Sequence, residues 1–153
     1  MATRLVVMRH AMSSLDYPGL VDHERPLNAR GQHEAARMAQ ALADRGWVPQ
    51  LVLVSSSRRT IETLEEMSPV INKSRIEIRS EIYHAGLSSL SNQLEDLLEN
   101  GTTMILGHNP GSEALINYLT EEWEVMPTAA AALIEKIDEK WELIEVLRPM
   151  ELD

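Results

Sequence analysis

The chain has 153 residues, 44% of them hydrophobic, with no cysteine and a formal net charge of −10. That size and apolar content suit one globular domain with a sizeable core, and the missing cysteines exclude disulfides, cysteine-ligated metals and a cysteine-based phosphatase. Charge is uneven, with eleven Lys/Arg against nine Asp/Glu in residues 1–79 and three against fifteen thereafter, which argues against nucleic-acid binding and leaves an anion pocket to draw on Arg9, Arg25, Arg58 and Arg59.

The first organised run is Arg4-Leu5-Val6-Val7-Met8-Arg9-His10-Ala11. Its four consecutive apolar residues predict a strand buried on both faces. Arg9 and His10 follow at its carboxyl end, where open α/β sheets place their ligands. Residues 12–28 have no sustained period and contain Pro18, Gly19 and Pro26, which predicts a loop over that strand end. Asn28 is the expected cap of a helix over 29–45, with Ala35, Met38, Ala39 and Leu42 on the buried stripe and Gly46 as its stop.

Residues 51–54 form the second predicted strand, ending in Ser55-Ser56-Ser57-Arg58-Arg59-Thr60. One of these serines caps a helix over roughly 58–67, whose first-turn arginine lies beside free backbone N–H groups that favour an anion. Ile76-Glu77-Ile78 is a short alternating strand, followed by a loop over 81–86. A helix over about 88–99 sets Leu90, Leu94, Leu97 and Leu98 on one face. The strand at 102–106 leads into a turn bearing His108, then a helix over 111–119. Pro127-Thr128 opens an antiparallel hairpin, 129–137 and 141–147, joined by Asp138-Glu139-Lys140. Four rounds of strand–helix alternation predict a three-layer αβα domain over 1–153. Its sheet is mostly parallel, with helices on both faces and the hairpin at one edge. No apolar run approaches a membrane span and the first is too short for a signal sequence, so a cytoplasmic monomer with no membrane or nucleic-acid partner is expected.

Taken alone, an Arg-His pair says little. It gains weight because Arg59 and His108 also follow apolar strands, so these groups converge at one sheet edge. Arginine binds phosphate through planar, forked hydrogen bonds, and histidine serves as nucleophile or proton shuttle. Three arginines with two histidines, and no carboxylate in the same motifs, suit a dianionic phosphoryl group and not a metal.

Val7-Met8-Arg9-His10-Ala11 resembles the Arg-His-Gly signature of the histidine phosphatase superfamily, with its phosphoglycerate-mutase-like fold. The stretch from Ser55 to Thr63 is similar to that family's Ser-x-x-x-Arg-Ala-x-x-Thr motif, which makes Arg59 the matching phosphate arginine. Leu106-Gly107-His108-Asn109-Pro110-Gly111 resembles the second-histidine motif as written in the small SixA-type phosphohistidine phosphatases of bacteria, and Arg25-Pro26-Leu27 matches their Arg-Pro-Leu element. The resemblance implies that His10 attacks phosphorus and becomes transiently phosphorylated. It further implies that Arg9, Arg59 and His108 hold the phosphoryl oxygens with Arg25 as an added contact, and that neither metal nor organic cofactor is needed.

Two positions depart from the pattern. Ala11 stands where the family has glycine, so the backbone there carries a Cβ. Larger relatives supply a carboxylic acid for an alkoxide leaving group, whereas the second-histidine motif here offers Asn109, leaving Glu81 the nearest candidate by position. Without an acid, alkyl phosphates are poor substrates, while the imidazole of a phosphohistidine leaves readily. The expected substrate is therefore phosphohistidine in a signalling or phosphotransfer protein. The alternatives are a small-molecule phosphomonoesterase using Glu81 as acid, or a non-catalytic phosphate-sensing or partner-binding module. Ser13 and His84 are further candidates to line the pocket, beside Glu81 and Asn109. His33 and the three tryptophans are assigned to solvent and to packing.

Overall fold

The computed structural model describes residues 2–152. Its central strand, β1 (Arg4–Arg9), buries Leu5, Val6, Val7 and Met8 because it is flanked on both sides. β4 (Thr102–Gly107) pairs with it in parallel and β5 (Ala131–Ile137) antiparallel. Outside β4 lie β2 (Leu51–Ser55) and then the edge strand β3 (Arg75–Arg79), both parallel to it, while β6 (Lys140–Leu147) closes the other edge in a hairpin with β5. The order is β3-β2-β4-β1-β5-β6. Arg9 pairs with Gly107 and Val54 with Leu106, so the residues leaving β1, β2 and β4 emerge side by side at one rim.

Alternate strand residues face opposite layers. Val6, Met8, Val52, Val54, Met104 and Leu106 pack with α1 (Ala29–Asp44) and α2 (Arg58–Ile71). Leu5, Val7, Leu53 and Ile105 pack with α3 (Leu87–Asn92) and α4 (Gly111–Thr120) on the other face. The layers and the edge hairpin match the expected architecture.

Several boundaries differ. α2 runs four residues past the expected end and holds Pro69 in its last turns, because Met67 and Ile71 still bury there. α3 stops at Asn92 and tightens into a 3₁₀ turn, Gln93–Asp96. Leu97 and Leu98 reach the core from beyond that turn, with the Leu98 N–H donated to Thr103 Oγ1 at 3.0 Å instead of to a helical carbonyl. The hairpin turn is only Asp138-Glu139, whose φ angles of 51° and 68° fit the strand twist, so Lys140 belongs to β6.

The loop over 12–28 is pinned at both ends. Asn28 caps α1 by accepting from Gly31 N at 2.8 Å, and its own N–H donates to Met12 O at 3.0 Å. A Cβ on Gly31 would collide with the Met12 carbonyl, so glycine is what lets the loop cross the helix. Ser13 bridges Leu27, and Glu62 of α2 accepts the Leu27 N–H at 2.9 Å. The loop carries one 3₁₀ turn, Asp22–Glu24.

Candidate active site

The rim opens into a cleft of about 310 Å³ that brings Arg9, His10, Arg25, Arg59 and His108 together, with Ser13, His84 and Asn109. A depression of about 480 Å³ lies elsewhere, lined by Thr3, Asn100, Lys136 and Glu139. It gathers no such constellation, so volume does not mark the site.

His10 leaves β1 with its N–H donated to Gly107 O at 3.0 Å and its carbonyl accepting from Ala129 N at 2.9 Å. The ring's Nδ1 lies 2.7 Å from Ala11 O. A carbonyl only accepts, so Nδ1 carries the proton and the Nε2 lone pair is left for attack. Ala11 lies in the core without left-handed backbone, and its N–H donates to Thr63 Oγ1 at 3.0 Å. Thr63 in turn donates to Arg59 O at 2.7 Å, tying the end of β1 to α2. Burial, with Arg59, Arg9 and Arg25 nearby, lowers the His10 pKa from 6.5 to about 4.

The ring of His108 sits 5.3 Å from that of His10. Its Nε2 is 2.8 Å from the hydroxyl of the buried Ser55. Arg59 Nη2 lies 3.5 Å from its Nδ1 and only donates, so Nδ1 accepts and the Nε2–H is donated to the Ser55 hydroxyl. Burial lowers the His108 pKa to about 3, assisted by His10 and Arg59.

Arg59 projects from the first turn of α2, below the Ser57 cap, and is 2% exposed. Its Nη1 and Nη2 donate to the Asp22 carbonyl at 2.8 Å and to Asp22 Oδ2 at 3.0 Å. Arg9 donates from Nη1 to Met126 O at 3.1 Å. The Nε–H groups of both arginines are buried without a partner. A buried donor left unpaired costs about 1–3 kcal/mol, so both of these cleft-lining side chains carry unmet donor capacity. Arg25 bonds Ser13 Oγ at 2.6 Å and reaches Asp22 Oδ1 at 3.0 Å.

Asp22, which lines the cleft beside Arg25 and Arg59, is the residue that sequence reasoning missed. Its Oδ2 accepts from Tyr83 Oη at 2.6 Å, His84 Nε2 at 2.8 Å and Arg59, while Oδ1 accepts from Arg25. Desolvation alone would raise its pKa, but the bonds from Tyr83, His84, Arg59 and Arg25 hold it far below the usual carboxylate range. The available signal was its position three residues before Arg25, inside a loop over the strand ends.

Other expectations fall away. Glu81 does not line the cleft: it is exposed on the 3₁₀ turn Ser80–Ile82, whose buried member is Ile82. Arg58 lies outside and pairs with Glu62 at 2.8 Å. Asn109 lines the cleft while donating from Nδ2 to Glu113 and to Met126 O, both at 2.9 Å. His23 stands behind the site, 3.0 Å from Ser56 Oγ and edge-on to Tyr83.

The two buried imidazoles carry a stability signature. Between pH 6.5 and about 4 the unfolded chain protonates a histidine at position 10 that the native state keeps neutral, so stability falls as pH drops through that window. His108 extends the loss toward pH 3, and Asp22 adds to it only below about 3.8. The urea midpoint in phosphate-free buffer is expected to fall over this range and to fall less steeply in His10→Asn, where His108 alone carries the loss between pH 6.5 and 4. A wild-type midpoint flat from pH 6.5 to 4 contradicts the buried neutral pair.

The family model of the histidine phosphatase superfamily (branch 1) matches residues 5–100, a span that holds Arg9, His10, Arg25 and Arg59. The chain belongs to the histidine phosphatase superfamily. An uncharacterized chloroplastic protein of Arabidopsis thaliana is 34% identical over 152 residues, covering 91% of this chain and 69% of its own length. An uncharacterized protein of Mycobacterium tuberculosis is 32% identical, covering 88% and 80%. SixA of Agrobacterium tumefaciens superposes with a TM-score of 0.85 at 28% identity, over 97% of this chain and 99% of that one. A protein histidine phosphatase SixA complexed with tungstate gives 0.84 at 26% identity, over 98% and 99%. These near-complete overlaps put the chain in the SixA-type branch of the superfamily, with phosphatase as its activity class.

Proposed function

We propose that the protein is a metal-independent phosphohistidine phosphatase that cleaves the N–P bond of a phosphorylated histidine in a cytoplasmic signalling or phosphotransfer partner. The observation that carries this reading is the facing pair of imidazoles, 5.3 Å apart, beside two buried guanidinium N–H groups that lack acceptors. A tetrahedral oxyanion supplies those acceptors, and tungstate, which the SixA structure holds, is one. In the proposed cycle His10 Nε2 attacks phosphorus, the leaving imidazole departs, and water releases phosphate from His10. Arg9, Arg59 and Arg25 neutralise the charge that spreads over the phosphoryl oxygens in a loose transition state, with His108 beside them as a neutral ring. Three guanidinium groups take the part a metal plays elsewhere.

The choice of a nitrogen leaving group rests on the readier departure of an imidazole and on the absence of a carboxylic acid from the cleft among the described residues. Asp22 is the carboxyl lining the cleft among the described residues, and it is held ionised. Glu81 faces away, which removes support from the reading that it acts as the acid of a sugar-phosphate esterase. Ala11 does not weaken the catalytic reading, because its Cβ is accommodated in the core.

A substrate panel in excess EDTA tests the proposal. Phosphohistidine protein is expected to turn over faster than a sugar phosphate, because an imidazole leaves more readily than an alkoxide. Equal rates return the esterase reading, loss of all activity in EDTA removes metal independence, and tight phosphate binding without turnover identifies a sensing module.

A further inference from the structure

We propose that His84, held by Asp22, is the proton donor to the leaving group and the base that activates the attacking water. This inference rests on the phosphatase reading of the same cleft. Three observations carry it.

First, His84 lines the cleft with its ring 5.3 Å from that of His108, the same separation that His108 keeps from His10. Both rings thus neighbour His108 within one cleft. Second, the tautomer of His84 is fixed. Asp22 Oδ2 lies 2.8 Å from Nε2 and only accepts, so Nε2 bears a proton and Nδ1 is the working atom, without a hydrogen-bond partner among the described residues. A carboxylate that orients an imidazole through one nitrogen and leaves the other for proton transfer is the arrangement of serine hydrolase triads. Third, the backbone is set to present this ring. His84 adopts φ +51°, uncommon for a residue with a side chain, within a turn closed by Ala85 N–H to Ile82 O at 3.1 Å. The Ala85 carbonyl lies against Gly111 at the start of α4, where any Cβ would collide with it.

The groups around the ring are consistent with this part. The Tyr83 ring lies 4.2 Å away, tilted by 46°, and its hydroxyl donates to the same carboxylate oxygen, which Arg59 also reaches from α2. Asp22 is thus a positioning residue, ionised throughout and unable to donate a proton itself. The steps balance. His10 Nε2 bonds phosphorus as the P–N or P–O bond of the substrate breaks, and the departing atom takes the Nδ1 proton of a His84 imidazolium. Water then attacks phospho-His10 and gives a proton back to His84 Nδ1, and the His10–phosphorus bond breaks to release inorganic phosphate. Donor and leaving group are both imidazoles when the substrate is phosphohistidine, so the proton moves between groups of one chemical kind.

The test compares wild type with His84→Asn, asparagine being a residue that tolerates the left-handed backbone. The reading is kcat/KM for aryl phosphates from dinitrophenyl to phenyl, at several pH values. The dinitrophenyl-to-phenyl ratio is expected to rise about 100-fold in the variant, as an acid is lost where the leaving group needs one. The alkaline fall of the phenyl phosphate profile, which reports loss of the donated proton, is expected to disappear with it. An unchanged ratio, or a wild-type ratio already as steep as the variant's, overturns the proposal. If wild type forms no acid-labile phosphoprotein at all, the phosphatase reading itself fails, and the two failures are told apart.

Discussion

His10→Ala is expected to reduce turnover by about 10⁴-fold or more, the scale seen when a covalent nucleophile is removed. β1 ends in a ring whose Nδ1 is committed to the Ala11 carbonyl at 2.7 Å, so the nucleophile is fixed in tautomer and direction before substrate arrives. Burial keeps that ring neutral down to about pH 4, so the lone pair persists where an ordinary histidine is mostly protonated. Phosphate binding survives the substitution, because the orphan N–H groups of Arg9 and Arg59 remain. Product inhibition by phosphate, measured as displacement of a labelled oxyanion, is expected to stay within about tenfold of wild type. Loss of binding together with turnover would reassign His10 to a structural part.

Arg59→Ala is expected to lower kcat/KM by about 10³-fold or more, the scale of removing a guanidinium that stabilises a transferring phosphoryl group. The effect is large because Arg59 acts twice. It contributes a buried Nε–H to the cleft, and its two Nη groups fasten Asp22 by carbonyl and carboxylate. Removing it frees the loop that carries Asp22 and Arg25. Arg59→Lys is not expected to restore activity, since a point-like ammonium cannot serve Asp22 and a phosphoryl oxygen from one planar fork. Recovery to within tenfold of wild type in the lysine variant would show that only charge matters at this position.

The parts of the fold that were legible in the sequence are those governed by periodicity and punctuation. The apolar runs of β1, β2 and β4 announced buried parallel strands, and Asn28 and Gly46 bounded α1. Arg9, His10, Arg59 and His108 were visible because each follows such a run, and topology then carries them to one rim. What escaped depends on contacts between distant segments. Asp22 sits in an aperiodic loop, and its importance arises from Tyr83 and His84, more than sixty positions away. Glu81 looked suitable by position, but in the turn it occupies Ile82 takes the buried place and the glutamate faces out. The leucines after Asn92 kept helical spacing without helical backbone, because Thr103 offered the Leu98 N–H a closer acceptor.

The most direct measurement is a rapid acid-free quench of the protein with ³²P-labelled phosphohistidine substrate, followed by peptide mapping. The expected label is stable to alkali, lost in acid, and located on the β1-derived peptide at His10. A label on another residue, or release of phosphate with no labelled protein at any time point, would contradict His10 as the nucleophile.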